Sequence, residues 1–321
     1  MKLHSPRHGR AVLAALILLL APSLWAAPAT LAELQKTIAD STGLARRQAV
    51  RRLFDLGPEA NAAILEMSKD ADVVVRRNAL RQLRGRLGLE AVPLYAAALA
   101  DESPLVRLVA LEELLAYQPR SEAVNAALMK ATTDSDNEVR RRASAAFWTF
   151  HRDYLPLRRR PNWDHAIEVI ARQALPLEGW LFRTDPGRSG HVQEWFAPKV
   201  DAAAWLPIVI GKWWHEALPE AVGNFEGVAW YRYEFTAPAK PAGEFNEAVL
   251  HFEAVDESTW VWVNGHYAGE HDLGTAGWNV AFDIEVGSFL TWGQANQIVV
   301  RVLNTAGAGG IYKPVEFQVL K

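Results

Sequence analysis

A sequence period of about thirty residues in the first half of the chain limits that half to stacked, nearly equivalent helical units, because such repeats bury their apolar faces only against their neighbours. Four copies align. The first carries Asp40, Ala45-Arg46, Ala49 and Leu53, and the second Asp70, Val75-Arg76, Ala79 and Leu83. The third carries Asp101, Val106-Arg107, Ala110 and Leu114, and the fourth Asp134, Val139-Arg140, Ala143 and Phe147. Successive copies are 30, 31 and 33 residues apart, and apolar residues fall at every third or fourth position along one helix face. The aspartate is expected in the turn before the helix, capping free amides or pairing with an arginine of its own or a neighbouring repeat. Each copy follows a second apolar helical stretch, such as Ala60 to Met67, Val92 to Leu99 and Val124 to Met129, which makes four helix pairs.

This pattern resembles HEAT or HEAT-like repeats over residues 31–150, and the resemblance implies an all-α solenoid that docks another macromolecule. Ahead of it, Lys2, Arg7 and Arg10 precede an unbroken apolar run from Ala11 to Leu20 and the small residues Ala26 to Ala29. That order reads as a secretory signal peptide over residues 1–29, and the run is too short for a transmembrane helix. The expectation is a protein of a periplasm or of the extracellular space, with no stable membrane insertion. The chain has no cysteine, so disulfides, cysteine-ligated metal centres and a cysteine nucleophile are excluded.

Charge divides the remainder. Residues 27–160 hold 21 basic and 17 acidic residues, whereas residues 161–321 hold 10 and 20, and the change falls in a linker at 155–164. Leu157-Arg158-Arg159-Arg160-Pro161 reads as solvated chain, and a formal net charge of −3 gives no argument for nucleic acid. Residues 165–321 alternate at period two: Tyr231, Tyr233 and Phe235 face one way, Trp230, Arg232 and Glu234 the other. Similar runs are Val280 to Val286, Ile298 to Val302 and Val315 to Val319, and Asn264-Gly265 marks a two-residue hairpin turn. About eight strands in a β-sandwich are expected, preceded by the solenoid at residues 30–154.

Several segments of the second half resemble the sugar-binding jelly-roll domain of family 2 glycoside hydrolases, the β-galactosidase and β-glucuronidase group. They include Trp180-Leu181-Phe182-Arg183, Gly227-Val228-Ala229-Trp230-Tyr231-Arg232, Phe252-Glu253-Ala254-Val255-Asp256, Trp262-Val263-Asn264-Gly265-His266 and Gly309-Gly310-Ile311-Tyr312-Lys313-Pro314. The resemblance implies a galactose-binding-like sandwich. It also implies that the loops before the Trp-Tyr-Arg strand and before Gly-Gly-Ile-Tyr approach a ligand from one end. Those enzymes continue into a barrel that carries both catalytic carboxylates. Here the sequence stops at Lys321, so no catalytic residue is expected; Glu253, Asp256 and Glu257 are the nearest acidic cluster and belong to the fold.

Ten of the 13 tryptophans lie between Trp180 and Trp292, a density that suits stacking on sugar rings. Trp180, Trp205, Trp230 and Trp262 are expected in packing, whereas Trp195, Trp213, Trp214 and Trp278 fall in predicted loops and are expected to be exposed. The candidate carbohydrate-binding residues are Asn224, Glu226, Trp278 and Asn304. The spacing of His215, His266, His271 and Asp272 matches no common zinc site, and neither a metal nor a cofactor is expected. The reading is an exported, non-catalytic carbohydrate-binding protein with a protein-docking helical domain. Two rivals are an accessory domain or subunit of a family 2-type glycoside hydrolase, and a structural scaffold with a dead sugar site.

Overall fold

A computed structural model describes residues 29–152 and 166–321, so the signal-peptide reading and the linker at 155–164 lie outside the described residues. The chain divides into two compact units, one up to Ile64 and one comprising Leu65–Lys321. In the first, α1 (Leu31–Asp40) packs on α2 (Gly43–Leu53). Helix α1 starts at a capping box: Thr30 accepts from the Glu33 amide while the Glu33 carboxylate accepts from the Thr30 amide. Asp40 is the last residue of that helix rather than part of the following turn. Helix α3 (Asn61–Met67) carries the chain onward.

The second unit continues with α4 (Val73–Leu87), α5 (Val92–Ala98), α6 (Pro104–Leu115), α7 (Glu122–Ala131) and α8 (Asn137–Ala145). Helix α6 lies between α4 and α8, and α5 and α7 form the second layer. The repeated positions supply the contacts: Val75, Ala79, Leu83, Val106, Ala110, Leu114, Val139 and Ala143 are all buried. A methyl group at Ala79, Ala110 and Ala143 is what lets the helices approach closely.

The repeated aspartate and arginine form a ladder along this stack. Arg76 grips Asp101 of the next repeat with Nε and Nη2, both at 2.9 Å, and Arg107 grips Asp134 in the same way at 2.8 Å. The remaining Nη1 of each arginine donates to carbonyls of its own turn, Asp70 and Ala71 for Arg76, Asp101 and Glu102 for Arg107. The pairing therefore runs forward, from one repeat's arginine to the next repeat's aspartate. The caps themselves are Asp72 and Asp136, two residues beyond the repeated aspartate. Asp70, Asp101 and Asp134 instead each accept the amide two residues on, closing the turn.

The β-sandwich follows. Strands β1 (Val169–Ala174), β10 (Val315–Leu320), β5 (Glu247–Phe252) and β8 (Phe282–Glu285) form one sheet in that order. The other runs β3 (Leu206–Ile208), β2 (Trp180–Asp185), β4 (Gly227–Thr236), β9 (Ala295–Asn304), β6 (Ser258–Val263) and β7 (His266–Asp272). All pairings are antiparallel. Among the described residues ten strands thus stand where about eight were expected, with β1 and β3 at sheet edges. Asn264 and Gly265 take φ of 52° and 83° at the β6–β7 turn, as a two-residue hairpin requires.

Between the sheets lies the main core, with Tyr231, Phe235, Leu250, Val261, Ile284, Val300, Val302, Phe317 and Val319. The outer face of the six-stranded sheet is also covered, by Trp195, Trp205, Trp230, Trp260, Trp262 and Val299. Phe196 stacks on Trp262 at 5.4 Å, and Trp148 and Phe150, which follow α8, meet Trp260 and Trp262 edge-on at 5.5 and 5.1 Å. The last helical repeat is therefore packed onto the sandwich through aromatic rings. The His191 ring at Nε2 bonds the Ser144 carbonyl at 2.9 Å across the same seam.

Candidate functional site

The candidate residues gather at the end of the sandwich where β4 begins and β9 finishes. Gly227 pairs with Asn304 across the two strands, so the loop at 224–227 lies beside the loop at 305–310. The Glu226 carboxylate accepts from the Gly307 amide at 3.2 Å and ties them together. Asn224 and Glu226 are exposed. Asn304 is fully buried: its amide donates to the Gly307 carbonyl and its oxygen accepts from the Ala306 amide, so it shapes the loop from within.

Glu257 links this pair of loops to a third. It is buried, with φ of 61°, and its carboxylate accepts from the Thr305 amide at 2.8 Å and from the Thr305 hydroxyl at 2.7 Å. Its carbonyl lies so close to Gly277 that an added Cβ would approach it to 2.6 Å, which is why glycine stands in the turn before Trp278.

Trp278 is half exposed. Its ring lies nearly parallel to that of Tyr312, 6.5 Å away, and Trp213 stacks on Tyr312 at 3.8 Å. The Tyr312 hydroxyl donates to the Trp278 carbonyl at 2.7 Å, and the Lys313 ammonium donates to the Asn279 side chain at 2.6 Å. Three near-parallel rings, with an amide and an ammonium beside them, thus cluster at this end of the domain, and Trp278 is the most exposed of the three.

Two of the loop tryptophans expected to be exposed are buried. Trp195 packs on Trp205 and Trp230 at about 6 Å because its loop folds back over the outer sheet face. Trp214 is fully buried against Phe182 and Phe225, and Gly309 is obligatory there, since a Cβ would stand 2.2 Å from the Trp214 ring. Trp180, Trp205, Trp230 and Trp262 are buried, as expected of packing residues. Trp213, expected in an exposed loop, is half-buried against Tyr312, and Tyr312, Asn279 and Lys313 are not candidates on the sequence alone. Tyr312 and Lys313 sit in the Gly-Gly-Ile-Tyr-Lys segment, whose paired glycines signal a close approach that places the next side chains.

The acidic cluster is dispersed: Glu253 is exposed, whereas Asp256 and Glu257 are buried. Burial, reinforced by neighbouring Glu257, pushes the Asp256 carboxyl up to about 7. The folded protein then keeps a proton that the unfolded chain releases near pH 4, so stability falls as the pH rises from about 4 to about 7 and stays lower above that. Asp256→Asn removes the charge. The variant is expected to melt above the parent at pH 8 and to converge with it near pH 4; an equal difference at both pH values in thermal melts would contradict this origin.

Among the described residues, no cluster of three or more His, Asp or Glu is arranged to hold a metal ion. None of their helices is long and apolar enough to cross a membrane.

Residues 199–314 match the model of the sugar binding domain of glycosyl hydrolases family 2, and residues 61–147 match that of HEAT repeats. No curated protein matches the chain. Similar solved structures include a glycosyl hydrolase family 2 member from Bacteroides cellulosilyticus, with 22% identity and a TM-score of 0.37 over 46% of this chain and 20% of that one. The β-glucuronidase of Ruminococcus gnavus aligns at 19% identity and a TM-score of 0.40, over 49% of this chain and 30% of that one. Its complex with uronic isofagomine aligns with a TM-score of 0.41 at 19% identity, over 49% and 29%. The chain thus spans about a fifth to a third of the length of these enzymes.

Proposed function

We propose that this chain is an exported, non-catalytic carbohydrate-binding protein whose helical repeats dock a protein partner. The observation that carries the reading is the half-exposed Trp278 beside the Tyr312–Trp213 stack, at the loop end of a domain that matches a sugar-binding family model. Sugar recognition needs an aromatic face for the C–H side of the ring and a few polar groups at its edge. Trp278 provides the face. Asn279 and Lys313 lie beside it, Asn224 and Glu226 are exposed on the loop tied to Gly307, and Asn304 acts as a positioning residue for the loop after β9.

Non-catalytic status is supported by the acidic residues themselves. Glu257 is held by Thr305, Asp256 is buried, and Glu253 is exposed on the turn after β5, so none is set up as an acid and nucleophile flanking a bond. The docking role is supported by the HEAT match and by exposed apolar side chains on the repeats, among them Leu89, Leu105 and Met129.

One stacking tryptophan and two or three exposed hydrogen bonds give affinity of about millimolar order. Titration calorimetry with neutral oligosaccharides is expected to show weak saturable binding that Trp278→Ala weakens by about fivefold or more, corresponding to about 1 kcal/mol of stacking. Binding of unchanged strength in that variant would move the site elsewhere. Absence of binding to every sugar would favour the structural-scaffold reading.

A further inference from the structure

A second site lies on the outer face of the six-stranded sheet, where α8 and the segment after it cover the sandwich. A cavity of about 260 Å³ opens there, lined by Arg141, Trp148, Arg188, His191, Trp260 and Arg301, with Asp272 at its wall. Arg301 projects from β9, opposite Trp260 in β6 and Trp230 in β4. Its guanidinium packs against two rings that stand edge-on to each other, 4.8 Å from the centroid of Trp148 and 4.5 Å from that of Trp260, and the residue is only 6% exposed. Ring contacts of this kind attract a cation but do not replace oxygen acceptors for its in-plane N–H groups. Among the described residues Arg301 has no hydrogen-bond acceptor and no ion pair, and its Nε is wholly buried without one.

A buried guanidinium with its fork unfilled is costly, and every other arginine of similar burial in this unit avoids that state. Arg76 and Arg107 each hold an aspartate, and Arg232 donates to the carbonyls of Ala197 and Pro198. Arg188, also lining the cavity, is half-buried. Its backbone takes φ of 49°, unusual for a residue with a side chain, and its guanidinium likewise has no acceptor among the described residues. Arg141 is already paired, bidentate with Glu138 at 2.6 and 2.7 Å. The nearby carboxylates are engaged elsewhere: Asp272 accepts from the Ser258 hydroxyl at 2.6 Å, and Asp185 accepts from the Ser189 and Gly190 amides and the Trp230 indole, each at 2.9 Å. Neither forms an ion pair with Arg188 or Arg301.

We propose that this cavity binds the oxyanion of a small acidic ligand, a carboxylate or sulfate group, gripped by the N–H forks of Arg301 and Arg188. Planar guanidinium donors suit oxyanions, and the volume, below that of pockets for drug-sized ligands, fits a group no larger than about one sugar ring. The site is separate from the Trp278 surface, so it stands or falls independently of the proposed sugar binding.

Tryptophan fluorescence of the full chain reports it, because Trp148 and Trp260 flank Arg301. At constant ionic strength, titration with sodium sulfate or sodium galacturonate is expected to give a saturable change that persists in Trp278→Ala, and chloride none. Equal affinity for both anions identifies the oxyanion alone as the ligand; tighter binding of galacturonate identifies an acidic sugar. Arg188→Gln, at the half-buried side, is expected to raise Kd at least tenfold, Arg301→Gln to abolish binding, and Trp278→Ala to leave it unchanged. Where Arg301→Gln does not fold, Arg188→Gln decides. No saturable change with either anion, or an unaltered Kd in Arg188→Gln, overturns the proposal.

Discussion

Ala110→Asp is expected to unfold the helical repeats of the second unit. Ala110 is fully buried on α6, the helix that lies between α4 and α8, so a carboxylate there meets packed side chains on both sides. An unpaired buried charge costs several kcal/mol or more, and the extra volume adds strain of about 1–3 kcal/mol. Together these are comparable to the whole stability of a typical domain, about 5–15 kcal/mol. Circular dichroism at 222 nm should show most of the repeat helicity lost at 25 °C. Unchanged helix content and melting would mean that the repeat alignment places Ala110 on the wrong face.

Arg107→Ala is expected to cost about 3–5 kcal/mol, because it leaves Asp134 buried without its counter-charge. The two side chains are only 10% and 8% exposed, and Arg107 also holds the Asp101 and Glu102 carbonyls at 2.9 and 3.3 Å. The pair as a whole contributes far less than its rupture costs, since its formation requires both charges to leave water. The double variant Arg107→Met with Asp134→Leu is therefore expected to be more stable than Arg107→Ala alone. Denaturant unfolding of the single and double variants measures that coupling. A single variant within about 0.5 kcal/mol of the parent would show that the ladder is held by backbone caps alone.

The repeats were legible because a helix face recurs every three to four residues and four copies repeat the same small and large side chains. The inner core of the sandwich was legible for the parallel reason, as with Tyr231, Tyr233 and Phe235 on one face of β4. What alternation could not show was that the opposite face is covered too. Trp260 and Trp262 are buried by Trp148, Phe150 and Phe196, the first two from the helical half, and burial by a partner over a hundred residues away leaves no local period. The one local trace is that Trp260 to Val263 is apolar on both faces, the mark of a strand covered on each side.

The same limit applied to the candidate site. A loop position suggests exposure for Trp195 and Trp214, yet the Trp195 loop folds back onto the sheet and Trp214 opens a short helix, Trp214–Ala217, that sets its ring in the core. Asn304 was chosen as a sugar-facing amide, but a side chain at a strand end can turn inward to close its own loop, and this one does. Conversely Tyr312 gained its place beside Trp278 and Trp213 only through three loops meeting at one end. Arg301 offered no signal at all, since an arginine alternating outward on a strand reads as solvated until its face is covered.

Probing a glycan array with the full chain, wild type beside Trp278→Ala, tests the central claim most directly. Carbohydrate recognition at the loop end of the sandwich predicts a defined set of glycans captured by the wild type and lost or strongly reduced in the variant. The same glycans captured equally by both proteins, or no glycan captured by either, would contradict it.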